Sequence, residues 1–375
     1  RNCDWSSDVC SSDLETFMPT DRAPLAGEKF RNPALARTFR RIAETKGRAI
    51  YEGDLAEAMV AHSKAHGGAM TLDDLASHRP DWCGTISKGF DDLTLHEIPP
   101  NGQGIAALMA LGILTHTPIR DLGADDPRAF HLQIEAMKRA LADAEAYVAD
   151  PAHMGGVSAA DMLDDGYLAA RARLIDPTRA TDFGAGAPKQ GGTVYLSTAD
   201  ASGMMVSYIQ SNYAGFGSGV AVPGTGIHMQ NRGSGFSLDP QSPNLVGPGK
   251  RPFHTIIPGF LMKGGAPLMS FGVMGGPMQA QGHLQMVLRT QLWDQDVQMA
   301  ADAPRWQVTE GLGVACEAAM GSETLEALSA MGHQIDADAP EAAFAFGGAQ
   351  LVHRLPDGGY AGGSDPRKDG AAVGF

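Results

Sequence analysis

Cysteine is scarce in this chain: four in 375 residues, at positions 3, 10, 83 and 316. Cys3 and Cys10 lie in the first fourteen residues, where Asp4-Trp5-Ser6-Ser7-Asp8-Val9-Cys10-Ser11-Ser12-Asp13-Leu14 reads like a translated sequencing adapter, without helix or strand period. Residues 1–14 are therefore set aside as non-native. Cys83 and Cys316 remain, too far apart in sequence to form a disulfide framework or a metal motif. They fit a reducing compartment, which leans the expectation towards cytoplasm over periplasm. The chain opens on Arg1, the natural start is expected to lie further upstream, and the lack of a leader therefore leaves the compartment open. No apolar run approaches the ~18 residues of a membrane span; the longest, Ile105–Leu114, reads as a buried helix. Positive charge is also short, with 29 Lys and Arg against 43 Asp and Glu. Setting aside Arg1, Asp4, Asp8 and Asp13 moves the net charge only from −14 to −12. That acidic balance argues against a nucleic-acid or anionic-membrane surface.

Metal and phosphate motifs are missing too. His62 and His66 stand at i, i+4, but no Glu occupies the position a zinc hydrolase needs, so they read as a solvent-facing helix end. Pro99-Pro100-Asn101-Gly102-Gln103-Gly104 lacks the spacing of a phosphate-binding loop and reads as a helix entry. No cofactor is expected.

What the chain has is 43% hydrophobic residues and two halves of different texture. Up to about 175 it is helical in pattern: Ala34–Ala43, Ile50–His66, a short helix capped by Thr71, Ile105–Leu114, Asp126–Ala149 and 158–175, with strand-like alternation only at 84–98. The charged residues Glu135, Lys138, Asp143 and Glu145 of the long helix read as solvated or structural. A Gly-rich linker, 184–190, then runs into Gly191-Gly192-Thr193. Beyond it come strands at Val194–Ala199, Met204–Tyr213, Thr255–Met262 and Leu268–Val273, helices at Gln279–Trp293 and Glu323–Met331, and a closing hairpin at Ala349–Gly362. Strands flanked by helices fit stacked sheets between helix layers.

A Gly-Thr step alone is an ordinary turn. If the chain is cut between Gly192 and Thr193, however, the freed α-amine can act as base for its own hydroxyl. Its pKa of about 7.7–8.0 suits taking and returning a proton. Gly192 leaves the carbonyl under attack unhindered.

From Thr193 onward the residues resemble the small subunit of γ-glutamyltranspeptidases, within the N-terminal-nucleophile hydrolases. The matching pieces keep the family's order: Gly192-Thr193, Asp200 to Gly203, Phe216-Gly217-Ser218-Gly219, Gly226-Ile227, Phe236-Ser237, Pro248-Gly249-Lys250-Arg251-Pro252, Gly275-Gly276, Ala303-Pro304-Arg305, Gly332-His333 and Gly363-Ser364-Asp365-Pro366-Arg367. A weaker match reaches back over about 80–190. The resemblance implies an α+β fold, a four-layer αββα sandwich incomplete at its N-terminus. Residues 15–192 would be the C-terminal part of a large subunit, and 193–375 the small subunit cut from the same precursor. A homo-oligomer of such heterodimers is compatible with it.

By the same resemblance Thr193 is the nucleophile, Ser211 a hydroxyl hydrogen-bonded to it, and the Gly275 and Gly276 amides the oxyanion donors. The donor-binding positions depart from the family. Tyr213 replaces an Asn, Arg232 an amide or acid, Gly235 an Asp, and His254-Thr255 a Ser pair; Ser234 lies in the same loop. No carboxylate remains to hold a γ-glutamyl ammonium, whereas Arg232 would attract a carboxylate, unless it points to a sheet edge or pairs with an acid. Residues 237–250 are shorter than the lid-bearing form of this loop, which leans towards hydrolysis over transfer.

The resulting expectation is an autoprocessed γ-glutamyltransferase or glutathione hydrolase, passing the acyl group of a small-molecule amide to water or an amine. A glutaryl or cephalosporin-type acylase and an unprocessed, non-enzymatic homologue are the alternatives.

Overall fold

The computed structural model describes residues 16–18, 22–183, 192–337 and 345–375. The adapter-like stretch 4–14 and the linker 184–190, with Gly191, lie outside the described residues. Thirteen strands follow one another among those described: β1 (Ile86–Phe90), β2 (Leu93–Glu97), β3 (Gly192–Ala199), β4 (Met205–Tyr213), β5 (Ala221–Val222), β6 (Ile227–His228), β7 (Gly259–Lys263), β8 (Ala266–Met274), β9 (Trp306–Val308), β10 (Gly313–Cys316), β11 (Gln334–Asp336), β12 (Gly348–Arg354) and β13 (Tyr360–Ser364). No described helix is long and apolar enough to cross a membrane.

The chain divides into two compact units. One joins residues up to Trp82 with Ala214–Asn231; the other joins Cys83–Tyr213 with Arg232–Phe375. The second unit therefore holds residues from both sides of Thr193.

The first unit is mostly helical. Asn32 caps the Pro33–Glu44 helix by accepting from the Leu35 N–H, and the Thr38 hydroxyl donates to the Thr225 carbonyl. The helix expected over Ile50–His66 is two helices, Arg48–Tyr51 and Asp54–Ala65, because Gly53 at φ 93° breaks the ladder. Thr71 and Asp74 form a capping box ahead of Leu72–Ala76. His66 is exposed and caps the Asp54–Ala65 helix, with its ring against that of His62.

In the second unit, an antiparallel sheet in the order β1-β2-β7-β8-β12-β13 forms the middle layer. Successive side chains of a strand point to opposite faces, and β8 uses both. Phe271 and Val273 face the helices: Phe271 meets the His283 ring at 4.9 Å, and a Cβ on Gly282 would lie 2.6 Å from Val273. Ser270 and Gly272 face the β3–β4 hairpin. The Gly104–Leu114 helix is apolar all round and wholly buried between the sheet and the Pro127–Tyr147 helix, as such a composition requires.

The hairpin is the next layer. Thr193 and Tyr195 are buried, whereas Val194, Leu196, Val206 and Tyr208 are exposed on its outer face. The Ser197 hydroxyl meets Ser270 Oγ at 2.8 Å, the Ser207 hydroxyl donates to the Phe271 carbonyl at 3.3 Å, and the Tyr195 hydroxyl bonds to both Ser197 and Ser207. The Tyr195 ring lies on Gly272, where a Cβ would come within 2.3 Å of it.

Three expected elements end differently. The strand expected from Thr255 begins only at Gly259; before it, the Thr255 carbonyl and the Ile257 N–H are taken by the side chains of Gln103 and Gln279. The 158–175 helix is split into Ala159–Met162 and Asp165–Ala172, with Asp164 capping the second. The Gln279–Trp293 helix runs as α-helix over Met278–Val287 and closes with a π turn, Leu288–Leu292. Glu135, Lys138 and Asp143 of the long helix are buried and ion-paired, so they are structural rather than solvated.

The Gly272 contact yields a stability prediction. Gly272→Val should destabilise the protein by about 1–3 kcal/mol through overpacking against Tyr195, read as a lower denaturant midpoint with an unchanged slope. An unaltered midpoint would mean that the hairpin is not seated on β8 by this contact.

Candidate active site

Thr193 lies at the start of β3 on the face turned to β8, and is only 8% exposed. The β3–β4 pairing slips here, from Gly192 opposite Tyr213 to Val194 opposite Gln210. The extra β4 residue is a bulge, a device that re-aims side chains. Ser211, within it, receives a hydrogen bond from Thr193 Oγ1 at 3.2 Å and one from the Tyr213 N–H at 2.8 Å. Tyr213 itself stands at φ 78°, a left-handed conformation rare for a bulky residue and commonest at functional sites.

Arg232 opens a short 3-10 turn, Arg232–Gly235. Its guanidinium carbon lies 4.6 Å from the centroid of the Tyr213 ring, and Nη1 donates to Thr255 Oγ1 at 3.3 Å. Burial lowers the guanidinium pKa from its ordinary value; arginine as a side chain remains cationic in proteins. The side chain thus faces Tyr213 and Thr255 at the site instead of a sheet edge. Ser234, on the same turn, is exposed.

Gly235 shows why the acid expected from the family is missing. A Cβ there would sit 2.4 Å from the Phe253 carbonyl oxygen, so an Asp cannot be placed without moving the backbone. Asn244 holds the turn there, donating to the Gly235 carbonyl at 2.6 Å and accepting from the Phe253 N–H at 3.0 Å. Lys250 Nζ closes the 237–250 loop on the Leu245 carbonyl.

His254 and Thr255 lie alongside, both largely buried. Burial first, then the nearby Arg232 and Arg251 charges, push the His254 imidazole down to about 4. It is therefore neutral at working pH, able to donate or accept a hydrogen bond but not to supply charge.

Gly275 and Gly276, at φ 128° and 59°, connect the end of β8 to the Met278–Val287 helix. Their carbonyls accept from the Met278 and Gln279 N–H groups. Both glycines thus stand at a helix N-terminus, where backbone donors and the helix dipole favour negative charge.

Two residues here carried no sequence signal. Gln103 is buried and donates to the carbonyls of Thr255 and Gly276. Gln279 accepts from the Ile257 N–H. A glutamine in a Gly-rich loop and another at a helix start look ordinary until the fold brings their partners across 152 and 22 positions of chain.

The motif pieces Ala303-Pro304-Arg305 and Gly363-Ser364-Asp365-Pro366-Arg367 come together elsewhere, as buried structure. Arg305 Nη2 meets Asp365 Oδ2 at 2.5 Å, and Arg367 bridges Asp365 and Glu317. Burial raises the Asp365 carboxyl, but Arg305, two backbone amides and Arg367 outweigh it and hold it below the usual range. His333 of Gly332-His333 bonds His131 at 2.8 Å and is pushed down to about 3, by burial foremost and then by Lys138 and His131. Among the described residues no cluster of His, Cys, Asp and Glu could hold a metal ion.

The neutral imidazoles make stability pH-dependent. His254 has a folded pKa of about 4 against 6.5 for the free group. The unfolded chain therefore binds more protons between those values, and stability rises with pH across that window. Lowering pH from 6.5 to 4 should remove roughly 3 kcal/mol through His254, with His333 adding to the loss down to about pH 3. Denaturant midpoints against pH should flatten in His254→Asn; an unchanged slope would refute the assignment.

The sequence profile described as gamma-glutamyltranspeptidase matches residues 11–375. The glutathione hydrolase-like YwrD proenzyme of Bacillus subtilis is 34% identical over 372 residues, spanning 96% of this chain and 69% of that protein. The oxamate amidohydrolase proenzyme of Klebsiella pneumoniae is 37% identical over 368 residues, 96% of this chain and 68% of the relative. Among solved structures, a cephalosporin acylase from Bacillus halodurans superposes with a TM-score of 0.91 at 45% identity, over 99% of this chain and 68% of the other. By this agreement in sequence and fold, the chain belongs to the γ-glutamyltranspeptidase family of N-terminal-nucleophile enzymes.

Proposed function

We propose that this chain carries the nucleophile of an autoprocessed amide hydrolase acting on γ-glutamyl-type donors. The observation that carries the reading is the buried Thr193 hydroxyl, bonded to Ser211 at 3.2 Å and preceded by Gly192. Thr193 Oγ attacks the Gly192 carbonyl and the Gly192–Thr193 C–N bond breaks, leaving an ester and a free Thr193 α-amine; water then hydrolyses the ester, releasing the Gly192 carboxylate and the Thr193 hydroxyl. That amine then takes the hydroxyl proton, Oγ adds to the donor amide, and the oxyanion rests on the Gly275 and Gly276 amides. The leaving amine departs with the proton. Water, or an acceptor amine, next attacks the acyl-enzyme and releases the acid or a new amide. No step calls for a cofactor.

Arg232 supplies donor selection. It is cationic, backed by Tyr213 and tied to Thr255, a fitting place for the donor's carboxylate. The γ-glutamyl group of glutathione and the oxamate named for the Klebsiella relative share one feature, a carboxylate on the acyl side of the amide. With no room for an acid at Gly235, the α-ammonium contributes less to binding than in the family pattern.

Denaturing electrophoresis and N-terminal sequencing should yield a fragment opening Thr193-Val194-Tyr195, while Thr193→Ala stays in one piece. A wild-type protein that hydrolyses amides uncut would sink this chemistry.

Arg232→Met should raise KM about 10–100-fold for both γ-glutamyl and glutaryl anilides, the scale of losing one charge-assisted contact. A butyryl anilide, without the carboxylate, should be unaffected. In the wild type, γ-glutamyl and glutaryl donors should be cleaved at comparable kcat/KM; a strong γ-glutamyl preference would rule out carboxylate-led selection.

A further inference from the structure

Gln103 is 2% exposed, in the turn that opens the Gly104–Leu114 helix. Its side-chain amide has two N–H groups at a fixed angle, and each has its own carbonyl: Thr255 at 2.9 Å and Gly276 at 2.9 Å. Its backbone N–H donates to the His254 carbonyl at 3.0 Å, the Asn101 carbonyl accepts from the His254 N–H at 3.1 Å, and Asn101 Nδ2 donates to the Pro252 carbonyl at 2.6 Å. The turn is thus laid along 252–255 like a strand. Gly102 permits it, since a Cβ there would lie 2.9 Å from the His254 ring.

The two carbonyls belong to different parts of the site. Thr255 takes the Arg232 hydrogen bond, and Gly276 is one of the oxyanion glycines. Gly276 has no side chain to fix it. Its carbonyl receives the Gln279 N–H at the helix start and the Gln103 amide beside it. Filling this space would need only an apolar side chain of similar length; both amide protons are used to hold these two carbonyls at one separation.

We propose that Gln103 is a positioning residue for acyl transfer, locking the orientation of Gly276 to that of Thr255. The oxyanion donors and the donor-binding groups then keep one spacing. The inference rests on reading Gly275 and Gly276 as the oxyanion donors. It also assigns a task in the small subunit to a residue upstream of Thr193.

Gln103→Met keeps the bulk and removes both donors. The expected result is a fall in kcat of about 10–100-fold, below the loss of a direct oxyanion donor, with KM within about threefold. The inhibition constant of an acyl boronate, which mimics the tetrahedral intermediate, should rise by the factor that kcat falls. Amide hydrogen exchange across 274–278 should quicken. In Gln103→Glu, the protonated carboxyl still donates one O–H and the ionised form none, with burial raising its pKa. Activity relative to wild type should therefore drop as pH rises. Unchanged kcat and boronate affinity in Gln103→Met would overturn the proposal. Should that variant fail to fold, a pH-independent activity ratio in Gln103→Glu would overturn it instead. A wild-type protein without Thr193-dependent turnover would fault the acyl-transfer reading, and exchange across 274–278 would then judge Gln103 alone: faster exchange supports it, unchanged protection refutes it.

Discussion

Strand β8 is the reference to which the candidate site is fixed. One of its faces carries the β3–β4 hairpin through the Tyr195 ring on Gly272 and the hydroxyl pair Ser197–Ser270. Its end runs into Gly275 and Gly276. Thr193 stands two residues before Tyr195 on the same side of β3, and Gly275 three residues after Gly272. The position of Thr193 relative to Gly275 and Gly276, the proposed nucleophile and oxyanion donors, therefore leans on the contact of Tyr195 with Gly272 together with the hydroxyl bonds beside it. A close-packed interior transmits small displacements rather than absorbing them, so this contact matters beyond its area.

The charges of the site are as constrained as its geometry. Arg232 is cationic, His254 is neutral because it is buried beside two arginines, and the Gly235 backbone leaves no room for an acid. In the proposed reading, the Arg232 guanidinium is the group that a donor carboxylate meets. This is where the chain departs from the family pattern, and the departure follows from the backbone path between Phe253 and Gly235.

The proposed cut does not separate two folding units. The Cys83–Tyr213 and Arg232–Phe375 segments share one compact unit, with Thr193 inside it. Buried bonds cross from one side of the cleavage point to the other: His131 to His333, Gln103 to Thr255 and Gly276, Glu97 to His283. Ionised or polar groups buried this way are costly to expose singly, so the two pieces have reason to stay together after hydrolysis. The buried pairs of Arg305 and Arg367 with Asp365 lie wholly within 193–375 and tie that piece together internally.

Much was legible in the residues alone. Periodicity located the Gly104–Leu114 and Pro127–Tyr147 helices and the β3–β4 hairpin, because a wholly apolar run, a 3–4 repeat and a period of two each bury one kind of surface. The Gly192-Thr193 step suggested a nucleophile with its own amine as base, and the family resemblance, not spacing, singled out Ser211 and the Gly275–Gly276 pair. Tertiary structure alone decided the rest: the bulge that turns Ser211 to Thr193, the stacking of Arg232 on Tyr213, the exclusion of a side chain at Gly235, and the reach of Gln103. Each depends on groups far apart in the chain meeting within a few ångströms, and single-residue propensities carry no record of a partner until packing brings it there.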